Sequence, residues 1–230
     1  YPAGFLEKYD QLECLASSHG IETFLVRQKG SGQMYVAKCY NKDIYSAVHE
    51  SSILKSLKHS GLPDFEDELC IVREYIAGEP LDKYIPENAL SQEEITDICI
   101  QLCDILIYLH GQERSIIHRD IKPQNIIVKP DGKISLIDFD IARIYHSDTK
   151  RDTKFIGTRE YAPPEQYGFS QTDARTDIYA VGVVLGWLLT GETDAKEVCR
   201  KAGRNRLVSI YKKCTAFSPE QRFTSAKKLK

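Results

Sequence analysis

One stretch constrains this chain more than any other. Residues 118–125 read His-Arg-Asp-Ile-Lys-Pro-Gln-Asn, and Asp138 follows Asn125 by thirteen residues, at the end of the apolar run Ile134-Ser-Leu-Ile137. Between them, Pro130-Asp131-Gly132 is a turn signal that separates two β-rich runs, Ile126–Val128 and Lys133–Ile137. A hairpin is therefore expected, and around it stand an acid (Asp120), two cations (Arg119, Lys122), an amide (Asn125) and a second acid (Asp138).

The rest of the chain changes character once. Phe24–Arg27 and Met34–Lys38 are short apolar runs joined by Gln28–Gln33, with Gly30-Ser31-Gly32 as the turn. Ala47–Leu57 has one apolar helical face through Val48, Ile53, Leu54 and Leu57, and Leu69–Val72 reads as another strand. Ala77-Gly78-Glu79-Pro80 breaks the chain, and helical patterns follow. Ser91-Gln-Glu-Glu94 is a capping box, which starts a helix at Gln92 that should run to His110, with Gly111 as its cap. Asp177–Thr190 is nearly all apolar and reads as a central buried helix closed by Gly191. Ser218-Pro-Glu-Gln221 repeats the helix-start signal, with proline at the first helical position.

Composition narrows the class. The 230 residues, 42% of them hydrophobic, suffice for one large domain or two lobes. Lys+Arg 31 against Asp+Glu 33 gives a formal net charge of -2, which speaks against a nucleic-acid partner. No apolar run approaches the roughly 20 residues that cross a bilayer, and no signal peptide opens the chain, so neither a membrane segment nor secretion is expected. Seven cysteines without a close-spaced framework favour a reducing, cytoplasmic setting. Cys99 and Cys103 share a helical face with Ile95, Leu102, Leu106 and Leu109, so they read as core cysteines rather than metal ligands.

Phosphoryl transfer needs a carboxylate for the attacking hydroxyl's proton, oxygen ligands for magnesium, and cations for the transferring group. The stretch supplies all three. It resembles the catalytic loop and magnesium-binding segment of protein kinases, whose loop signature is H-R-D-L-x-x-x-N. The resemblance implies ATP and Mg2+ as cofactors, with Asp120 accepting or orienting the hydroxyl proton and Asn125 and Asp138 holding magnesium. Lys122 matches the serine/threonine-kinase pattern, in which a lysine stabilises the transferring phosphate. Tyr35-Val-Ala-Lys38 resembles the strand whose lysine contacts the α- and β-phosphates, and Glu50 on the next helix is then its pairing glutamate. By the same resemblance the nucleotide is bordered by Ser18, Gly20, Thr23 and Val36, and by Glu74 and Ile76 of the hinge. His118, Phe139, Leu54 and Asp177 match the family's internal column of packed residues.

Gly157-Thr-Arg-Glu-Tyr-Ala-Pro-Pro-Glu165 resembles the segment that closes the activation loop and contacts a substrate peptide. Small-molecule phosphotransferases generally lack it. Glu165 is implied to pair with Arg222, and Thr158 to bridge Asp120 and Lys122. Arg119 is implied to receive a phosphate from Ser147, Thr149 or Thr153, which stand among Arg143, Lys150, Arg151 and Lys154.

Four features depart from the pattern. The glycine-rich loop pattern G-x-G-x-x-G-x-V falls on Ala16, Ser18, Ile21 and Thr23, leaving Gly20 out of phase. Asp140 stands where the family has glycine after Asp-Phe. Arg73 replaces an apolar residue before the hinge and needs a partner. The stretch from Glu192 to Leu207 is short for a region that carries an extra helix in the family.

The expectation is an α+β, bilobal fold with a β-rich N-lobe over 1–72, a hinge over 73–80 and a helical C-lobe over 81–230. The resemblance runs from about Tyr9 to Leu229 and is closest in style to bacterial eukaryotic-like kinases. It implies transfer of phosphate to serine or threonine of protein substrates, with autophosphorylation. The main rival is a pseudokinase, a binding module favoured by the altered loop and opposed by the retention of Lys38, Glu50, Asp120, Asn125 and Asp138. A small-molecule phosphotransferase comes third.

Overall fold

The structure is a computed structural model that describes residues 4–18, 20–40, 48–67, 70–87, 90–145, 158–167, 171–203 and 206–230. The chain divides into two compact units, Tyr1–Ala77 and Gly78–Lys230.

The first unit opens with a short helix α1 (Phe5–Lys8) and the strands β1 (Tyr9–Ser18), β2 (Ile21–Gln28) and β3 (Met34–Tyr40). Helix α2 (Val48–Leu54) and strands β4 (Phe65–Asp67) and β5 (Ile71–Glu74) complete it. Every neighbouring pair in the sheet β1-β2-β3-β5-β4 is antiparallel. Alternate residues of β2, β3 and β5 face one way, and Phe24, Val26, Tyr35, Ala37 and Val72 close a core with Phe5, Tyr9 and Cys70. Strand β1 gave no apolar signal. Its Leu12 and Leu15 are 44% and 45% exposed, and register shifts after Gln11 and Cys14 spoil its alternation. The strand expected over Leu69–Val72 lies at Ile71–Glu74, paired through its whole length with β3; Leu69 falls outside the described residues.

The second unit runs β6 (Glu79–Pro80), α3 (Leu81–Glu87), α4 (Gln92–His110), β7 (Ile116–Ile117), β8 (Ile126–Val128), β9 (Ile134–Leu136) and β10 (Arg143–Ile144). Helices α5 (Ala174–Thr190), α6 (Ala195–Ala202), α7 (Arg206–Cys214) and α8 (Ala226–Leu229) follow. Helix α4 has the bounds expected from its capping box, whose two reciprocal bonds join Ser91 and Glu94. It buries Ile95, Ile98, Leu102, Ile105, Leu106 and Leu109. Helix α5 begins three residues earlier than its apolar run, because Asp173 caps it: the Asp173 carboxylate accepts the Arg175 amide. Gly191, at φ 75, ends it in the left-handed conformation that glycine tolerates. Helix α6 lies within the short stretch between Glu192 and Leu207.

The helix expected to start at Ser218 is a single 3-10 turn, Pro219–Gln221. The chain wraps there around the Arg222 guanidinium, which donates to the carbonyls of Ala216, Phe217 and Arg175. Helix starts again only at Ala226, capped by Ser225. Cys103 is buried, and Cys99 lines an apolar cavity of about 110 Å³ with Cys103 and Cys214. Burial pushes the Cys99 and Cys103 thiols up to about 12, so they stay protonated core groups. Among the described residues no helix is long and apolar enough to cross a membrane.

Candidate active site

The β8–β9 hairpin positions the first pair of site residues. Ile126 pairs with Leu136, and the Ile137 amide donates to the Asn125 carbonyl at 2.9 Å. The ladder therefore brings Asn125 and Asp138 to the same end of the hairpin. Asp138 holds φ 69, a left-handed conformation costly for a residue with a Cβ.

A buried carboxylate shapes the loop before the hairpin. Asp177, in the first turn of α5, is fully buried. Its Oδ2 accepts the His118 amide at 2.9 Å and contacts His110 Nε2 at 2.8 Å, while Oδ1 accepts the Arg119 amide at 2.9 Å. Burial alone would raise its pKa, but the hydrogen bonds from His110 and the Arg119 amide hold it below the usual carboxylate range. These bonds pin Arg119 at φ 67, and Gln166 Nε2 donates to the Arg119 carbonyl at 3.0 Å. Such strain persists only where the surroundings over-determine it.

The strained loop presents Asp120. Lys122 Nζ donates to its Oδ2 at 2.7 Å, and Thr158 Oγ1 donates to its Oδ1 at 2.8 Å. Lys122 Nζ also reaches Thr158 Oγ1 at 2.8 Å, so the three side chains form a closed triangle. Asn125 Nδ2 donates to Asp120 Oδ2 and to its carbonyl, both at 2.9 Å, which turns the amide oxygen away from Asp120. An amide oxygen and a carboxylate are the hard donors that magnesium takes, so Asn125 and Asp138 fit that ion. Phe139 is fully buried and packs edge-on against His118, with centroids 4.7 Å apart. Asp140 does not share the positive φ of Asp138, so its conformation is open to any L-residue and the loss of glycine there is tolerated.

Beside Lys122 and Thr158 opens a pocket of about 460 Å³, walled by Gln124, Glu160, Tyr161 and Trp187 and by Gly191–Thr193 at the end of α5. The Thr158–Glu165 segment that borders it is tied down by a buried ion pair. Arg222 Nη1 and Nη2 meet the Glu165 carboxylate at 2.6 and 3.0 Å, and Thr176 Oγ1 donates to the same group at 3.0 Å. Burial, then the neighbouring Arg143, hold the Arg119 guanidinium down to about 10, so it remains a cation at neutral pH. Ser147, Thr149, Lys150, Arg151, Thr153, Lys154 and Gly157 lie outside the described residues.

In the first unit, Lys38 Nζ stands 3.9 Å from Glu50 Oε2, with their side chains 14% and 4% exposed. The Tyr40 hydroxyl donates to the same oxygen at 2.5 Å. Tyr40 was not anticipated, although the signal was available: two residues beyond Lys38 on a strand, it shares that face of β3. Val36 is buried opposite Leu25, and Thr23 pairs with Lys38 across β2–β3. Ser18 ends β1, and Gly20, at φ 80, makes the turn into β2, so this glycine serves the hairpin. Arg73 pairs with Val36 and Phe65, its Nη1 3.5 Å from the Glu74 carbonyl. The Glu74 amide is taken by the Asp64 carbonyl at 2.8 Å, and Ile76 follows just beyond β5.

This arrangement agrees with what related sequences show. The family model described as the protein kinase domain matches residues 18–230, and the chain belongs to that family. It is 32% identical over 199 residues to serine/threonine-protein kinase TIO of Arabidopsis thaliana, covering 81% of this chain and 15% of that protein. It is 34% identical over 200 residues to serine/threonine-protein kinase Nek1 of Mus musculus, covering 80% and 16%. A probable serine/threonine-protein kinase PknB of Lactococcus lactis is 34% identical over 184 residues, or 75% and 29%. The chain thus spans less than a third of the length of each of these three relatives.

Proposed function

We propose that this chain transfers the γ-phosphoryl group of ATP to serine or threonine hydroxyls of protein substrates, itself included, with Mg2+ as cofactor. One observation carries the reading: the Asp120–Lys122–Thr158 triangle, every side 2.7 or 2.8 Å, with Asn125 bonded to its acid. Asp120 holds a carboxylate oriented to take a substrate hydroxyl's proton. Lys122 brings a cation beside it, placed for the transferring group, and Thr158 ties that cation to the segment bordering the pocket. A lysine two residues after the acid supports a serine/threonine preference, as do the printed names of the relatives. Asn125 and Asp138 would hold magnesium, which neutralises phosphate charge when bound. Lys38, held by Glu50, would contact the α- and β-phosphates, with Ser18, Gly20, Thr23, Val36, Glu74 and Ile76 bordering the nucleotide. The pocket walled by Tyr161 and Trp187 would take the substrate segment that flanks the acceptor. Seven cysteines without a close-spaced framework support a cytoplasmic setting.

Incubation with labelled ATP and Mg2+, followed by phosphosite mapping, tests the reading. Label on serine or threonine of the chain or an added protein, absent from Asp120→Asn, is the expected result. Label that persists in Asp120→Asn, or no label with any protein acceptor tried, would overturn it.

A further inference from the structure

Two cysteines of the first unit face each other across the sheet. Lys38 pairs with Ile71 in the β3–β5 ladder, so the next antiparallel step sets Cys39 opposite Cys70. The Tyr75 amide donates to the Met34 carbonyl, which marks that pair as hydrogen-bonded. Pairs alternate along an antiparallel ladder, so its geometry carried one step past Lys38 and Ile71 would place the Cα atoms of Cys39 and Cys70 about 4.5 Å apart with side chains close together. A disulfide accepts Cα separations of about 4.4–6.8 Å. Both thiols also lie on one face: Cys70 belongs to the core formed by Tyr35, Ala37 and Val72, and Cys39 packs against it.

The two thiols differ in the way a reactive pair requires. The Cys70 thiol donates a hydrogen bond to the Cys39 sulfur, and this bond holds Cys39 below the ordinary thiol range despite its burial. Cys39 is partly buried and Cys70 buried. A reachable sulfur with added thiolate character therefore stands in front of a sheltered thiol. Cys99, Cys103 and Cys214 are the opposite case, pushed up by desolvation and inert.

We propose that Cys39 and Cys70 are an oxidation site, a thiol couple that hydrogen peroxide converts into a disulfide between β3 and β5. The Cys39 thiolate attacks one peroxide oxygen. An S–O bond forms, the O–O bond breaks, and the departing hydroxide takes a proton to become water. Cys70, giving up its proton, then attacks the Cys39 sulfur. The S–S bond forms as the S–O bond breaks, and the second hydroxide leaves with that proton as water. Two thiols are oxidised and one peroxide is reduced to two waters. The bond would staple the strand that carries Lys38 at the residue next to it.

The test is peptide mapping under non-reducing conditions after brief peroxide treatment and alkylation of the remaining thiols. Trypsin releases Cys39 in residues 39–42 and Cys70 in residues 59–73. The expected product is these two peptides joined, about 2 Da lighter than their sum and separated by dithiothreitol. Cys70→Ser should instead leave Cys39 as a sulfenic acid that dimedone captures, and Cys39→Ser should leave Cys70 alkylated. The exposed Cys14 serves as an internal comparison. The proposal is overturned if Cys39 and Cys70 are both alkylated when Cys14 is oxidised, or if Cys39 is joined to any cysteine but Cys70. None of these readouts depends on phosphoryl transfer.

Discussion

Asp138 combines two demands on one residue, a left-handed backbone at φ 69 and a carboxylate at the hairpin end beside Asn125. Asparagine is the substitution that separates them, because it tolerates that conformation while removing the charge. Asp138→Asn should therefore melt like the parent protein and lose at least about a hundredfold in turnover, about 3 kcal/mol of transition-state stabilisation. Near-parental turnover at unchanged melting temperature would remove Asp138 from the proposed metal set. At this scale the sequence was informative, because the loop's residues lie close along the chain and their spacing encodes their geometry. Thr158, 38 residues from Asp120, was placed only through the family resemblance. Tyr40 was missed because an aromatic residue on a strand is ordinarily a packing residue, and only the fold shows its hydroxyl on Glu50.

At the scale of elements, the second unit is organised by α5 and the helices laid against it. Gly182 and Gly186 let α7 approach: a Cβ on Gly182 would sit 2.4 Å from Cys214 Cβ, and one on Gly186 would sit 2.7 Å from the Tyr211 ring. The first contact involves a Cβ rigidly attached to α7, so the helices themselves must part. Overpacking of this kind costs about 1–3 kcal/mol or more, against about 1 kcal/mol gained by replacing glycine inside a helix. Gly182→Ala should lower stability by about 1–2 kcal/mol in urea unfolding, the upper part of that cost less the propensity gain. A variant as stable as the parent would show that α5 and α7 are less closely packed. Helix α4, with its capping box, was legible to the residue, whereas α5 starts three residues before its apolar run because its cap is Asp173. What was not legible follows physically: β1 is an edge strand with exposed leucines, β4 is three residues long, and the Ser218 turn is bent by Arg222 reaching a partner 57 residues away.

Over the whole molecule, each unit has its own core, and the buried His118 gives the stability of the second unit a pH dependence. Burial lowers the pKa of His118, so the folded chain keeps its ring neutral where the unfolded chain would bind a proton. With a folded pKa below the unfolded value, near 6.5, the unfolded state gains protons first as pH falls. Stability is then full above about pH 6.5 and declines below it by up to about 1.4 kcal/mol per pH unit until the folded pKa is reached. Asp177 adds a later loss. Its pKa is held below 3.8, so its contribution persists until pH falls past that value and disappears as pH approaches its folded pKa. The single tryptophan, Trp187, lies in α5, so its fluorescence reports the unfolding of the second unit alone. Urea midpoints followed by that signal should decline between pH 6.5 and 4.5 in the parent protein. They should decline less in His118→Phe, where a ring still packs against Phe139 but carries no proton site. Parallel declines in the two proteins would mean that His118 exchanges protons equally in both states, and the histidine would not be the source of the acid sensitivity.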